Sequence, residues 1–182
     1  MPPAGQVASF ELTVSDVDRG VYETLSVQVA RHPSESVEYF VTRLLAYALE
    51  WREGLTFSRG LHVADEPALW VHDLTGTLLA WIEVGTPETD RLHRATKAAD
   101  EVAVWCHKDA PRWLAQVAGA RVHAPERIRV TEVPKALVTW LGERLDRRNR
   151  WSLSRTEGEL FVEVAGETTT AVLTVHPWPA RA

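Results

Sequence analysis

Leu78-Leu79-Ala80-Trp81-Ile82-Glu83-Val84 is apolar at every position but one. A run of this length and character reads as a central strand, buried on both faces. Leu74-Thr75-Gly76-Thr77 precedes it as a turn, and residues 69–73 form its hairpin partner. Gly85 follows, and residues 88–100 read as a polar helix. Further upstream, residues 8–15 and 21–29 alternate apolar and polar around an Asp16–Gly20 turn, which predicts an opening hairpin or meander. His32-Pro33-Ser34-Glu35 starts a helix with Ser34 as N-cap and apolar residues at 37, 40, 41, 44, 45, 48 and 49. Downstream come a strand at 101–105, a helix at 111–117, a strand at 127–132 and a helix at 135–146. A closing hairpin pairs 159–164 with 170–175. The fold class is α/β (α+β), a mixed central sheet flanked by helices, in a single domain spanning 1–182.

The chain has 182 residues, 45% hydrophobic and 25% charged, with a net charge of -5. That charge gives no global basic field, so any nucleic-acid contact needs a local patch. Cys106 is the only cysteine, which excludes a disulfide framework and a thiolate metal cluster. No signal-like opening and no long apolar span occur. The expected setting is cytoplasmic and away from membranes.

Glu83 is the one acid in the central strand, on the same face as Leu79 and Trp81. A buried carboxylate needs a partner. It is either a metal ligand or a strand-end acid paired with Arg91, Arg94 or Lys97. Asp65 and Glu66 precede Pro67 at the entry to the hairpin. Together with Glu83 they offer oxygen ligands for a hard cation, Mg²⁺ or Mn²⁺; an adjacent Asp-Glu pair is also common on surface loops. Glu38 falls inside the apolar arc of its helix, between Leu45 and Leu49 in projection. It is either a buried site acid or a salt-bridged acid at the edge of the stripe. Glu35 reads as a helix-start acid. Arg91, Arg94 and Lys97 recur every three residues and share one side of their helix, where cations hold a phosphate or simply meet solvent. Arg144, Arg147, Arg148 and Arg150 cap a helix end, stay solvated or contact phosphates.

His32-Pro33-Ser34-Glu35, Ser58-Arg59-Gly60-Leu61, Asp65-Glu66-Pro67, Trp70, Trp81-Ile82-Glu83-Val84-Gly85, Pro87 and Lys97-Ala98 together resemble the YaeQ family, across essentially the whole chain. The resemblance implies a variant of the PD-(D/E)XK nuclease fold: a restriction-endonuclease-like core over residues 34–105, with β extensions at both ends. It implies Glu38 as the acid of the first core helix, Asp65 or Glu66 as the hairpin acid and Glu83 as the acid of the (D/E)xK element. Asp65, Glu66 and Glu83 would hold the metal. Gly85 stands where such a nuclease carries lysine, and Lys97 would supply that cation from the next helix. Ala68 stands where some members have a further acid. The nuclease-like pattern, rather than any settled activity of the family, implies metal-dependent phosphodiester hydrolysis, with Glu83, Lys97 and Glu38 as catalytic residues. The alternative is a non-catalytic module that binds nucleic acid or another partner.

Overall fold

The computed structural model describes residues 5–59 and 65–179. Gly60 and Leu61 of the Ser58–Leu61 motif lie outside the described residues. The contacts divide the chain into two compact units, residues 1–51 with 134–173 and residues 52–133 with 174–182. The chain therefore passes from one unit to the other three times. In place of one central sheet there are two, one in each unit, with four α-helices among the described residues.

The first unit opens with β1 (Val7–Asp16) and β2 (Val21–Ala30), an antiparallel hairpin in unbroken register from Val7↔Ala30 to Asp16↔Val21. α1 (Val37–Leu49) follows. Its N-cap is Ser36, whose side chain accepts from the Tyr39 N–H, rather than the expected Ser34. Every residue from Phe40 to Leu49 is buried, as suits a helix apolar almost all round.

The second unit contains β3 (Leu55–Phe57), β4 (Leu69–His72), β5 (Leu78–Val84), α2 (Thr89–Ala98), β6 (Glu101–Cys106), α3 (Ala110–Val117) and β7 (Ile128–Glu132). β3, β4 and β5 form an antiparallel meander. β5, β6 and β7 run parallel, connected through α2 and α3. On one face of this sheet Trp81, Val102, Val104, Ile128 and Val130 pack with Leu92 and Ala95 of α2 and Trp113 of α3.

α4 (Lys135–Glu143), β8 (Arg148–Thr156), β9 (Glu159–Val164) and β10 (Glu167–Val172) return to the first unit, and β11 (Thr174–Pro177) pairs with β7 in the second. The sheet orders are β10-β9-β8-β1-β2 and β11-β7-β6-β5-β4-β3. β8 lies parallel to β1, Ser9 opposite Arg148 and Asp16 opposite Arg155. This strand has no counterpart in the sequence reading, because its arginines mask the alternation of Asn149, Trp151 and Leu153, all buried. The expected closing hairpin is shifted: 159–164 pairs with 167–172 across the tight turn at Ala165 and Gly166.

Phe10 ties the first unit together, edge-to-face with Phe40 at 5.9 Å and with Trp151 at 5.5 Å. α1 and α4 approach closely at Gly142, where an added Cβ would stand 2.9 Å from Val37 Cγ1. No described helix is long and apolar enough to cross a membrane. Gly142→Val should therefore lower stability by about 1–3 kcal/mol. The loss should be smaller in a Val37→Ala background, as urea melts of the single and double variants would show.

Candidate functional site

β5 enters the packed core with Trp81 and Glu83 two residues apart on one face, as strand periodicity requires. Glu83 is 3% exposed. Its Oε1 accepts from the Trp81 indole Nε1 at 2.6 Å and from Arg91 Nε at 2.5 Å. Arg91 sits in the first turns of α2. Its Nη2 donates to the Glu66 carbonyl, joining α2 to the hairpin entry. Of the two readings of Glu83, the geometry shows the ion pair, with Arg91 as the partner. Burial pushes the Glu83 carboxyl above its ordinary value, against the pull of the Arg91 charge and the Trp81 and Arg91 hydrogen bonds.

Glu66 is also buried, yet it is held the other way. Arg59 donates to it from its backbone N–H at 3.0 Å, from Nε at 2.7 Å and from Nη2. The Arg59 side-chain hydrogen bonds keep this carboxyl below the usual glutamate range, outweighing its desolvation. Ser58 Oγ donates to the Pro67 carbonyl at 2.5 Å, so Ser58 and Arg59 are both stitched to the Glu66-Pro67 pair. Asp65 is exposed and pairs with Arg94 Nη1 at 2.8 Å, a contact worth little in water.

Thus Asp65, Glu66 and Glu83 are each engaged by a different arginine: Arg94, Arg59 and Arg91. Among the described residues no three His, Cys, Asp or Glu side chains are grouped to hold a metal ion. Beside the Glu83–Arg91 pair lies a cavity of about 250 Å³ lined by Asp65, Trp81, Arg91, Arg94 and Ala98. Lys97, in the last turn of α2, is exposed and is not part of this lining. Its charge suits the carbonyl end of the helix.

Gly85, the position where the sequence reading expects a nuclease to carry lysine, has a backbone role of its own. Its φ is +93°, and its N–H donates to the Trp105 carbonyl at 2.8 Å. An added Cβ would meet only His107 Cε1, at 3.8 Å. The backbone conformation, rather than space, reserves the position for glycine.

In the first unit, Glu38 and Glu35 exchange their expected surroundings. Glu38 is exposed in the first turn of α1. Periodicity places it on the apolar side, but the buried part of the helix begins only at Phe40. Glu35 is 3% exposed. Its Oε1 lies 2.9 Å from Arg43 Nε, and its Oε2 accepts from Arg43 Nη2 and the His32 N–H, both at 3.0 Å. Of the later arginines, Arg144 does cap α4: it donates to the Trp140 carbonyl at 3.0 Å and lies 4.1 Å from that ring's centroid.

Two outcomes follow for the second unit. Because the Glu83 carboxyl is raised, the folded protein holds that proton more tightly than the unfolded chain. The stability it contributes is present in acid and is lost as pH rises from the ordinary value of 4.5 through the raised one. Glu83→Gln has no proton to lose there. Its stability relative to the wild type should climb across that window in urea melts, and a flat difference would contradict the burial account. Gly85→Lys should cost at least about 1–2 kcal/mol from the backbone alone, with no metal-dependent gain in melting temperature.

The family model described as YaeQ protein matches residues 1–173. "Uncharacterized protein YaeQ" of Escherichia coli (strain K12) is 38% identical over 96 residues, 53% of this chain and 53% of that protein. The Salmonella typhi protein of the same description is 36% identical over the same shares. The chain spans about half the length of these curated relatives in the match. The crystal structure of YaeQ protein from Xanthomonas axonopodis pv. citri superposes with a TM-score of 0.88 at 32% identity, covering 97% of this chain and 100% of that one. That of YaeQ protein from Pseudomonas syringae gives 0.83 at 32% identity, covering 94% and 95%. A match over nearly the whole sequence and a shared backbone lead to one conclusion: the chain belongs to the YaeQ family.

Proposed function

We propose that this protein is a non-catalytic binding module that holds a phosphate group of a nucleic-acid strand in the Trp81–Arg91–Arg94 cavity. The observation that carries this reading is the state of Glu83, the acid a PD-(D/E)XK hydrolase would use for metal. Its Oε1 is occupied by Trp81 Nε1 and Arg91 Nε. A metal would have to displace a buried ion pair, and removing one partner of such a pair is costly. The β3–β4–β5 meander, followed by α2 and parallel β6, is the order of elements a nuclease-like core calls for. This supports descent from that fold without its chemistry.

The cavity supplies what phosphate recognition needs. Arg91 is fixed by Glu83 and the Glu66 carbonyl. Arg94 is 61% exposed and, among the described residues, is restrained only by the exposed Asp65. Guanidinium groups match phosphate oxygens in a forked geometry, and the Trp81 ring and Ala98 supply the apolar part of the wall. Asp65 opposes an anion, so binding requires that Arg94 exchange it for phosphate.

Fluorescence anisotropy with labelled single-stranded DNA and RNA tests the reading. Binding should persist in EDTA, weaken with salt and leave the strand intact. Arg94→Ala should weaken it roughly ten- to a hundredfold with little change in stability. EDTA-sensitive cleavage, together with a Mn²⁺-dependent rise in melting temperature that Glu83→Ala abolishes, would instead establish the hydrolase.

A further inference from the structure

β2 is an edge strand of ten residues, and its hydrogen bonding can be assigned residue by residue. The Ser9 N–H donates to the Arg147 carbonyl and the Val17 N–H to the Arg155 carbonyl. Odd-numbered residues of β1 therefore direct their backbone groups toward β8, and even-numbered ones toward β2. In the antiparallel register, Phe10 faces Val27, Leu12 faces Leu25 and Val14 faces Glu23. It follows that odd-numbered residues of β2 bond to β1. Tyr22, Thr24, Ser26 and Gln28 turn both N–H and C=O away from the sheet. None of these groups has a hydrogen-bond partner among the described residues. The next outward carbonyl, that of Ala30, takes Arg43 Nη2 at 3.4 Å, which marks the end of the open stretch.

Native sheets protect such edges with proline, lysine, a bulge or a covering segment. Residues 22–28, Tyr-Glu-Thr-Leu-Ser-Val-Gln, contain neither proline nor lysine, and Glu23 is their only charge. The pairing with β1 runs without a bulge. Tyr22, Thr24, Ser26 and Gln28 are all exposed.

We infer that this edge is an interface for a second copy of the chain, the two β2 strands pairing antiparallel about a two-fold axis at Leu25. The sequence around Leu25 is self-complementary in that register. On the inner face Val21 meets Val29 of the other copy, Leu25 meets Leu25 and Glu23 meets Val27, so the two acids avoid each other. On the outer face Thr24 meets Ser26 and Tyr22 meets Gln28, polar pairs that suit cross-strand contact. Each outward residue gains both of its backbone bonds, and a continuous ten-stranded sheet results from two sheets of five. The interface uses the same patch on both copies and so closes at two rather than propagating. The outer face beside this edge also carries a pocket lined by Ser26, Val27 and Gln28 with Glu11, Arg148 and Arg150, but the self-complementary register about Leu25 favours a second copy of the chain over a partner of another kind.

Sedimentation over a wide range of protein concentration should show a reversible monomer–dimer equilibrium. Ser26→Pro removes an N–H that the β1 ladder does not use, so it is compatible with the monomer fold. It should raise the dissociation constant about tenfold or more with an unchanged circular dichroism spectrum. Hydrogen exchange on the wild type provides a reading independent of any variant. The amides of Tyr22, Thr24, Ser26 and Gln28 should slow as concentration rises, while those of Leu25 and Val27 stay slow throughout. A wild type monomeric at every concentration, a dimer indifferent to Ser26→Pro, or outward amides whose exchange ignores concentration would each overturn the assignment.

Discussion

The parallel pairing of β1 with β8 is the constraint on which the first unit rests. It joins strands separated by more than a hundred residues and puts a hairpin and a three-stranded meander edge to edge as one sheet. One end of the seam is fastened by charge. Asp16 is fully buried and takes Arg155 in a forked pair, with Nε at 3.0 Å, and also the Arg19 N–H at 3.2 Å. Arg19 in turn donates to the carbonyls of Leu49 and Trp51, satisfying the exit of α1. The other end is fastened by Asn149, which donates to the Ser9 and Asp146 carbonyls and accepts from the Asp146 N–H. Between these ends, Phe10 and Trp151 fill the core. Such buried polar groups specify register because a slip would leave each of them unpaired.

The same principle operates at the candidate site. The second unit buries a carboxylate in an apolar strand, and the surrounding residues answer it. Trp81 supplies a neutral donor from the same strand face and Arg91 a charged one from α2. Arg91 also takes the carbonyl of Glu66, whose own side chain belongs to Arg59. The acids that the sequence places together are thus distributed among separate arginines. Beside them lies a cavity with the guanidinium groups of Arg91 and Arg94 in its wall.

The sequence made the second unit readable where pattern is local. β5 is legible because six of its seven residues are apolar, and the hairpin with β4 because the Leu74–Thr77 turn interrupts the apolar run. That Glu83 needs a partner is legible too. The choice of Arg91 over Arg94 or Lys97 is not, because a spacing of three places all three on one helix side while only the tertiary distance to β5 selects among them. β8 is hidden because Arg148 and Arg150 look like a solvated cluster. The two-sheet arrangement is hidden because nothing local in β1 names β8 as its partner. Glu38 and Glu35 show a different limit: periodicity gives direction around a helix axis but not depth along it. The first turn of α1 carries Glu38 beyond the packed region, while the chain before the helix tucks Glu35 under Arg43.

The threefold passage of the chain between units has a consequence for how the protein is made on the ribosome. The β1–β2 hairpin emerges first but cannot gain its second neighbour until residues 148–156 have been synthesised. The meander and α2 can assemble meanwhile, since β3 through β7 are contiguous. During that interval the inner face of the first hairpin, with Phe10, Leu12 and Val14, has only α1 available from its own unit. Nascent chains with such non-local pairings form slowly and expose apolar surface while they wait. Any delay before β8 (Arg148–Thr156) emerges prolongs that exposure, a demand on synthesis that the finished structure no longer displays.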